Sequence, residues 1–207
     1  MNAAPPKSGK GSSARERVAD DTPVDCTGTA AWKRWLQRHH AVSSGVWLRM
    51  AKKSSGIASV DYAQALEEAL CYGWIDGQRK SQDEQYFLQR FTPRRARSIW
   101  SQINREKALK LIDAGRMQPA GLAEVERARA DGRWDAAYAA QSKSTVPDDL
   151  QAALDADRQA KAFFAALDSR NRFAVLFRVQ SAKKPETRAR RIAQFVQMLG
   201  RGEKLYP

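Results

Sequence analysis

The sequence predicts an α+β protein dominated by helices, with a small antiparallel β-sheet and its hairpin in an N-terminal unit and a helical C-terminal unit. Three observations carry this. Apolar residues recur at helical spacing over much of the chain after Thr27, three short stretches between residues 46 and 91 pattern as strands, and beyond residue 146 the spacing is helical to nearly the end. A chain of 207 residues that is 43% hydrophobic can bury a core as one large domain or two small ones. The polar stretch "YAAQSKSTVPDD", which has no large apolar pattern, reads as a link and favours two: an α+β domain over 25–140 and a helical domain over 146–204.

Residues 1–24 are rich in Pro, Gly, Ser and charge, so burial cannot offset the entropy of ordering them. A disordered basic tail is expected there. From Thr27, Trp32, Trp35, Leu36 and His39 share one helical face. Val46, Leu48 and Met50 then alternate with Trp47, Arg49 and Ala51, as a strand requires. In "SVDYAQALEEALCYGW", Asp61 is a helix N-cap with Gln64 three residues on, and Tyr62, Leu66, Ala69, Leu70 and Gly73 form the buried stripe. "WIDGQRK" and "EQYFLQRF", separated by "SQDE", read as a β-hairpin.

"SIWSQINREKALKLIDAG" is a helix capped at Ser98 and stopped at Gly115, and "PAGLAEVERARADG" is one that starts with Pro119 and ends at Gly132. The last unit reads as short helices: one after Pro147, one carrying Phe163, Phe164 and Leu167, one carrying Phe173, Leu176 and Phe177, and one beginning at Pro185. The last shows Ile192, Phe195, Val196 and Leu199 at i, i+3, i+4, i+7 spacing.

Thirty-six Lys and Arg against 23 Asp and Glu leave a net charge of +13. That surplus favours anionic partners such as nucleic acid, phosphorylated ligands or anionic lipid head groups, so the expected partner is an anionic ligand or a protein, with nucleic acid as a further class; a solvated basic surface is the plainer reading. Cys26 and Cys71 can build neither a disulfide framework nor a CxxC metal site. The opening residues carry Lys and Arg but no apolar signal core, and no run of 18 apolar residues occurs, so the expected location is the cytoplasm with no membrane span. No HExxH, phosphate-binding glycine loop or GxSxG elbow is present, and His39 and His40, being adjacent, cannot share a helical face. No catalytic residue, metal or cofactor is therefore assigned.

Two clusters remain as candidate sites. In the hairpin, Asp76 is a residue type depleted in strands, so something must offset its desolvation; an ion pair with Arg90 across the sheet is the structural explanation, and a carboxylate at a site wall fits the same pattern. Gly77 would allow a bulge there. Arg90, Arg94, Arg95 and Arg97 crowd before the helix expected at Ser98, where guanidinium forks and helix amides both suit anions. Trp100 and Asn104, one helical turn apart, complete the candidate ligand-binding set of Asp76, Arg90, Arg94, Arg95, Trp100 and Asn104. A second basic patch comprises Lys183, Lys184 and Arg190, whereas Arg188, four residues before Ile192, is expected to pair with a carboxylate inside the domain.

The blocks "ALCYGWIDGQRK", "YFLQRFTPRRARSIWSQIN", "GRMQPAGLAEVERARADGRW" and "SAKKPETRARRIAQFV" resemble the YdeI/OmpD-associated family of bacterial proteins. The resemblance implies a link to bacteriocin protection or association with an outer-membrane porin, and a C-terminal helical module; it carries over no catalytic residue. The functional expectation is a non-enzymatic cytoplasmic binding protein of this family, linked to bacteriocin or stress tolerance, with an Arg-rich anion-binding surface. A nucleic-acid binder is the first alternative, and a small enzyme using Asp76 the second.

Overall fold

A computed structural model describes residues 22–139 and 145–207. Most of the expected tail, up to residue 21, and the expected link around Ser142 lie outside the described residues. Backbone contacts divide the chain into two units. One ends at Ala96 and includes Ala114–Glu124; the other comprises Arg97–Asp113 and the chain from Val125 on. The architecture is the expected helix-dominated α+β, with helices making up the C-terminal part.

The first unit holds strand β1 (Val24–Asp25), helix α1 (Thr29–His39), strand β2 (Val46–Ala51), helix α2 (Tyr62–Cys71), and strands β3 (Trp74–Ser81) and β4 (Tyr86–Pro93). The sheet order is β1-β2-β4-β3. Pairing of β2 with β4 and of β4 with β3 is antiparallel, but β1 runs parallel to β2, so the sheet is mixed rather than antiparallel throughout. Val24 thus belongs to a strand and not to the tail. One face of the sheet presents Val46, Leu48, Met50, Phe87 and Phe91, all buried, with Trp32 and Leu36 of α1 and Leu66, Ala69 and Leu70 of α2 in the same core. Trp32 ties the layers together: its ring lies 5.4 Å from that of Phe91, and its indole N–H donates to Ala65 O at 3.0 Å.

Helix α2 starts as its sequence dictates. Asp61 accepts from the Gln64 N–H, and the Gln64 side chain reaches back to the Asp61 backbone N–H, a complete capping box. Its end differs from the expected stripe. The helix stops at Cys71, and Gly73 adopts φ 73°, a left-handed value that ends helices and that glycine adopts without a Cβ clash. Backbone also approaches closely here: a Cβ on Gly73 would lie 2.8 Å from Ala120 O, and one on Gly121 would collide with Cys71 O. Gly121 lies in helix α4 (Pro119–Ala130), whose first turn is fastened by the Gln118 N–H donating to Cys71 O at 3.0 Å.

In the second unit, helix α3 spans Gln102–Asp113. It begins four residues beyond the expected cap at Ser98, because Ser101 does the capping: its hydroxyl accepts from the Asn104 N–H at 3.1 Å while its backbone forms a bridge with Tyr138. Beyond residue 145 follow α5 (Asp148–Asp155), α6 (Arg158–Ala166), α7 (Ser169–Gln180) and α8 (Pro185–Gly200). Leu150, Leu154, Phe164, Val175, Leu176, Val179, Ile192, Phe195 and Leu199 form their common core. Asp157 and Asp168 cap α6 and α7, and Pro185 opens α8 at its first turn, where its missing N–H costs nothing. Among the described residues, no helix is long and apolar enough to cross a membrane.

Candidate anion-binding hairpin

The hairpin is not a regular ladder. Asp76 pairs with Phe91 and Arg79 with Gln89, so two residues of β3, Gly77 and Gln78, oppose the single Arg90 of β4. The bulge leaves carbonyls without ladder partners, and Gln89, only 3% exposed, supplies them. Its amide donates to Gly77 O at 3.1 Å and Gln78 O at 3.2 Å. A Cβ on Gly77 would meet Arg90 in ordinary contact at 3.7 Å, so the bulge does not require glycine at this position.

The register between the bulge and the turn fixes which way the cations point. Arg79 pairs with Gln89 and Lys80 with Leu88, so Arg79 shares the face of Phe91 and Gln89, and Lys80 shares that of Leu88. Arg79 lies over the Phe87 ring at 3.9 Å, and Lys80 Nζ lies over the Trp47 ring at 4.3 Å. Arg90 approaches the same indole at 5.5 Å. Arg49 covers Tyr86 at 4.7 Å, but it also makes two hydrogen bonds to Asp25, at 2.5 and 2.7 Å, so its charge is compensated. Arg79 and Lys80, both exposed, have no carboxylate within ion-pair distance among the described residues. An aromatic ring attracts a cation without neutralising it, so these two groups are held in place and keep their charge for a ligand.

Asp76 is half-buried, and its partner is the Tyr62 hydroxyl, which donates to its carboxylate at 2.7 Å. The expected pairing with Arg90 gives way because the bulge sets the two on opposite faces of the sheet. Tyr62 was expected in the core stripe of α2; it is 43% exposed, and its hydroxyl is what stabilises the strand carboxylate. Sequence reasoning missed Tyr62, Gln89, Arg79 and Lys80. The signal present was the run "GQRK" after the aspartate.

The remaining expected residues fall differently. Arg95 is exposed, but Arg94 is buried at 6% exposure, its backbone N–H donating to Gly73 O at 2.9 Å and continuing the strand pairing by one residue. Its guanidinium is therefore not a surface fork. Because α3 begins at Gln102, the arginines do not stand at a helix N-terminus. Trp100, in the second unit, is a core residue at 2% exposure, edge-on to Trp134 at 4.9 Å, and offers no open ring to a ligand. Asn104 is half-buried in the first turn of α3.

In the second unit, Lys183, Lys184 and Arg190 are exposed, as expected of a surface patch. Arg188 pairs with Asp149 through two hydrogen bonds, at 2.5 and 2.8 Å, and also donates to Val179 O at 3.2 Å. That guanidinium holds the Asp149 carboxyl below its ordinary value. Arg191 donates to Arg178 O, so two arginines cover carbonyls at the C-terminal end of α7. Beside the Asp149–Arg188 pair, an open groove of about 800 Å3 runs along Ala153, Ala189, Ile192 and Val196. The described residues contain no group of three or more His, Cys, Asp or Glu placed to hold a metal ion. Cys26 and Cys71 are both buried, and burial pushes each thiol up to about 11.

Comparison with known families separates the two parts of the chain. Residues 143–202 match the family described as "Bacteriocin-protection, YdeI or OmpD-Associated". Residues 24–124 match a different family, a domain of unknown function, DUF8412. The block "SAKKPETRARRIAQFV" lies inside the first match, and the two blocks around the hairpin lie inside the second. No curated protein and no solved structure matches the chain.

Proposed function

Starting from a chain that carries a YdeI/OmpD-associated domain over residues 143–202, we propose that it is a non-enzymatic binding protein whose N-terminal hairpin holds an anionic ligand. The observation that supports this is that the hairpin carries an exposed cation on each of its faces, Arg79 over Phe87 and Lys80 over Trp47, neither with a carboxylate at ion-pair distance among the described residues. Cations already fixed in place lose little side-chain entropy when an anion arrives, which favours binding over a loose lysine surface. The net charge of +13 draws anions to the whole molecule, and the hairpin selects where they settle. A cytoplasmic setting and a part in bacteriocin or stress tolerance complete this reading.

Catalysis through Asp76 is not part of it, since the carboxylate is engaged by the Tyr62 hydroxyl. Inorganic polyphosphate and a single-stranded oligonucleotide of matched charge, titrated at low and moderate salt, test the proposal. Binding of polyphosphate that weakens with salt supports it, and no binding of either probe at low salt contradicts it. Clear preference for the oligonucleotide would transfer the reading to nucleic acid.

A further inference from the structure

After α8, the chain turns back at Gly202, with φ 70°, and lays residues 204–206 along α7. Each of the three meets a different kind of receptor. Lys204 faces Asp168, whose carboxyl is held below its ordinary value chiefly by the Asn171 N–H and side-chain amide, with the Lys204 charge adding to them. Leu205 packs against the helical core of the unit. Tyr206 is held by backbone and ring together. Its N–H donates to Asn171 Oδ1 at 2.9 Å, and its carbonyl accepts from Asn171 Nδ2 at 3.2 Å. Arg170 lies over its ring at 4.3 Å, and Arg178 donates to its hydroxyl at 3.2 Å.

One contact that orients the receptor is independent of its occupant. Asn171 is 1% exposed, and its amide cannot flip. Nδ2 also donates at 2.8 Å to Asp168, a carboxylate that only accepts, so Oδ1 must face the incoming N–H. A side-chain amide that grips both the N–H and the C=O of one residue reads an extended backbone whatever its sequence, and the arginines add a preference for an aromatic ring. The fit of the present occupant is incomplete. Arg178 Nη1 is buried without a hydrogen-bond acceptor. Lys204 is exposed, and Leu205 and Tyr206 are only half-buried.

We propose that this face of α7 is a docking site for an extended peptide of basic, apolar, aromatic order, filled here by the chain's own Lys204–Tyr206 and open to such a segment of a partner protein when that stretch lifts away. The site lies within the part of the chain that matches the YdeI/OmpD-associated family, whereas its occupant follows the matched residues 143–202. The proposal is independent of the hairpin and its anion.

The test uses the full chain and the synthetic peptide Glu-Lys-Leu-Tyr-Pro, labelled for fluorescence anisotropy. Tyr206→Ala removes the cis anchor and should bind the peptide at least tenfold more tightly than the wild type; adding Arg170→Ala, an exposed position, should reverse most of that gain. A folded Tyr206→Ala variant that does not bind the peptide overturns the proposal, as does binding indifferent to Arg170→Ala. Hydrogen exchange of the wild type gives a second reading. The Tyr206 amide should exchange through local opening, well ahead of the α8 amides near Phe195, and equal protection of the two would count against an exchangeable segment.

Discussion

The side-chain amide of Gln89 donates to the carbonyl of Gly77 at 3.1 Å, and through that bond a buried residue of β4 supports the bulge that adjoins two exposed cations on β3. Without the bulge it supports, the register set at the turn would continue along β3 and carry Asp76 from the face of Phe91 to that of Arg90. Gln89→Leu keeps the volume and removes the donors. It leaves two bulge carbonyls unserved, at a cost of about 1–3 kcal/mol for each that stays buried. Urea unfolding measures that loss, and polyphosphate affinity should fall with it.

Gly121 is a packing requirement rather than a flexible point. A methyl group there would run into Cys71 O, where α2 ends and the Gln118 N–H is already bonded. Gly121→Ala should destabilise the protein by about 1–3 kcal/mol despite its better helix propensity. Thermal melts of this variant and of Gly115→Ala separate the causes. Gly115 has open space around its Cα but φ 64°, so its loss is one of backbone strain alone.

The Asp149–Arg188 pair makes acid stability asymmetric. Its carboxyl is held below the ordinary value of 3.8, so it titrates lower in the folded state than in the unfolded one. The stabilisation is therefore complete above the unfolded value and is lost as pH falls through the folded one. Because the pair is partly exposed, at 27% and 45%, the effect is screened and amounts to about 1 kcal/mol or less. Asp149→Asn should lower stability at pH 7 and show a flatter decline between pH 4 and pH 2 than the wild type, followed by urea midpoints.

Both cysteines should be inert in the native protein. With each thiol buried and pushed up to about 11, roughly one in a thousand is thiolate at pH 8, and access is blocked as well. Native protein treated with iodoacetamide should remain unmodified under conditions that alkylate both thiols in urea, as read by mass spectrometry.

Much of the fold was legible because local chemistry set it. Asp61 and Gln64 cap α2, Pro119 and Pro185 open their helices, and the hydrophobic spacing of 150–199 yields the C-terminal core. Strand β1 was not legible: its two residues carry no period, and parallel pairing with β2 depends on a partner more than twenty residues away. The candidate site was half legible. "WIDGQRK" marked the right hairpin and Gly77 the bulge, but the facing of Asp76 and Arg90 depended on how Gln89 satisfies that bulge, a tertiary fact. Arg94 and Trp100 misled for a related reason. Arginine and tryptophan pattern alike whether they flank a ligand or fill a core, and only burial distinguishes the two.

The central claim is that the hairpin, and not basic surface in general, holds the anion. Polyphosphate affinity measured for Arg79→Glu/Lys80→Glu beside Lys183→Glu/Lys184→Glu tests it directly, since the two variants change net charge equally. The hairpin variant should lose on the order of tenfold more affinity than the Lys183→Glu/Lys184→Glu variant, with both remaining folded. Equal losses would show that net charge alone attracts the anion, and the hairpin would then be no site.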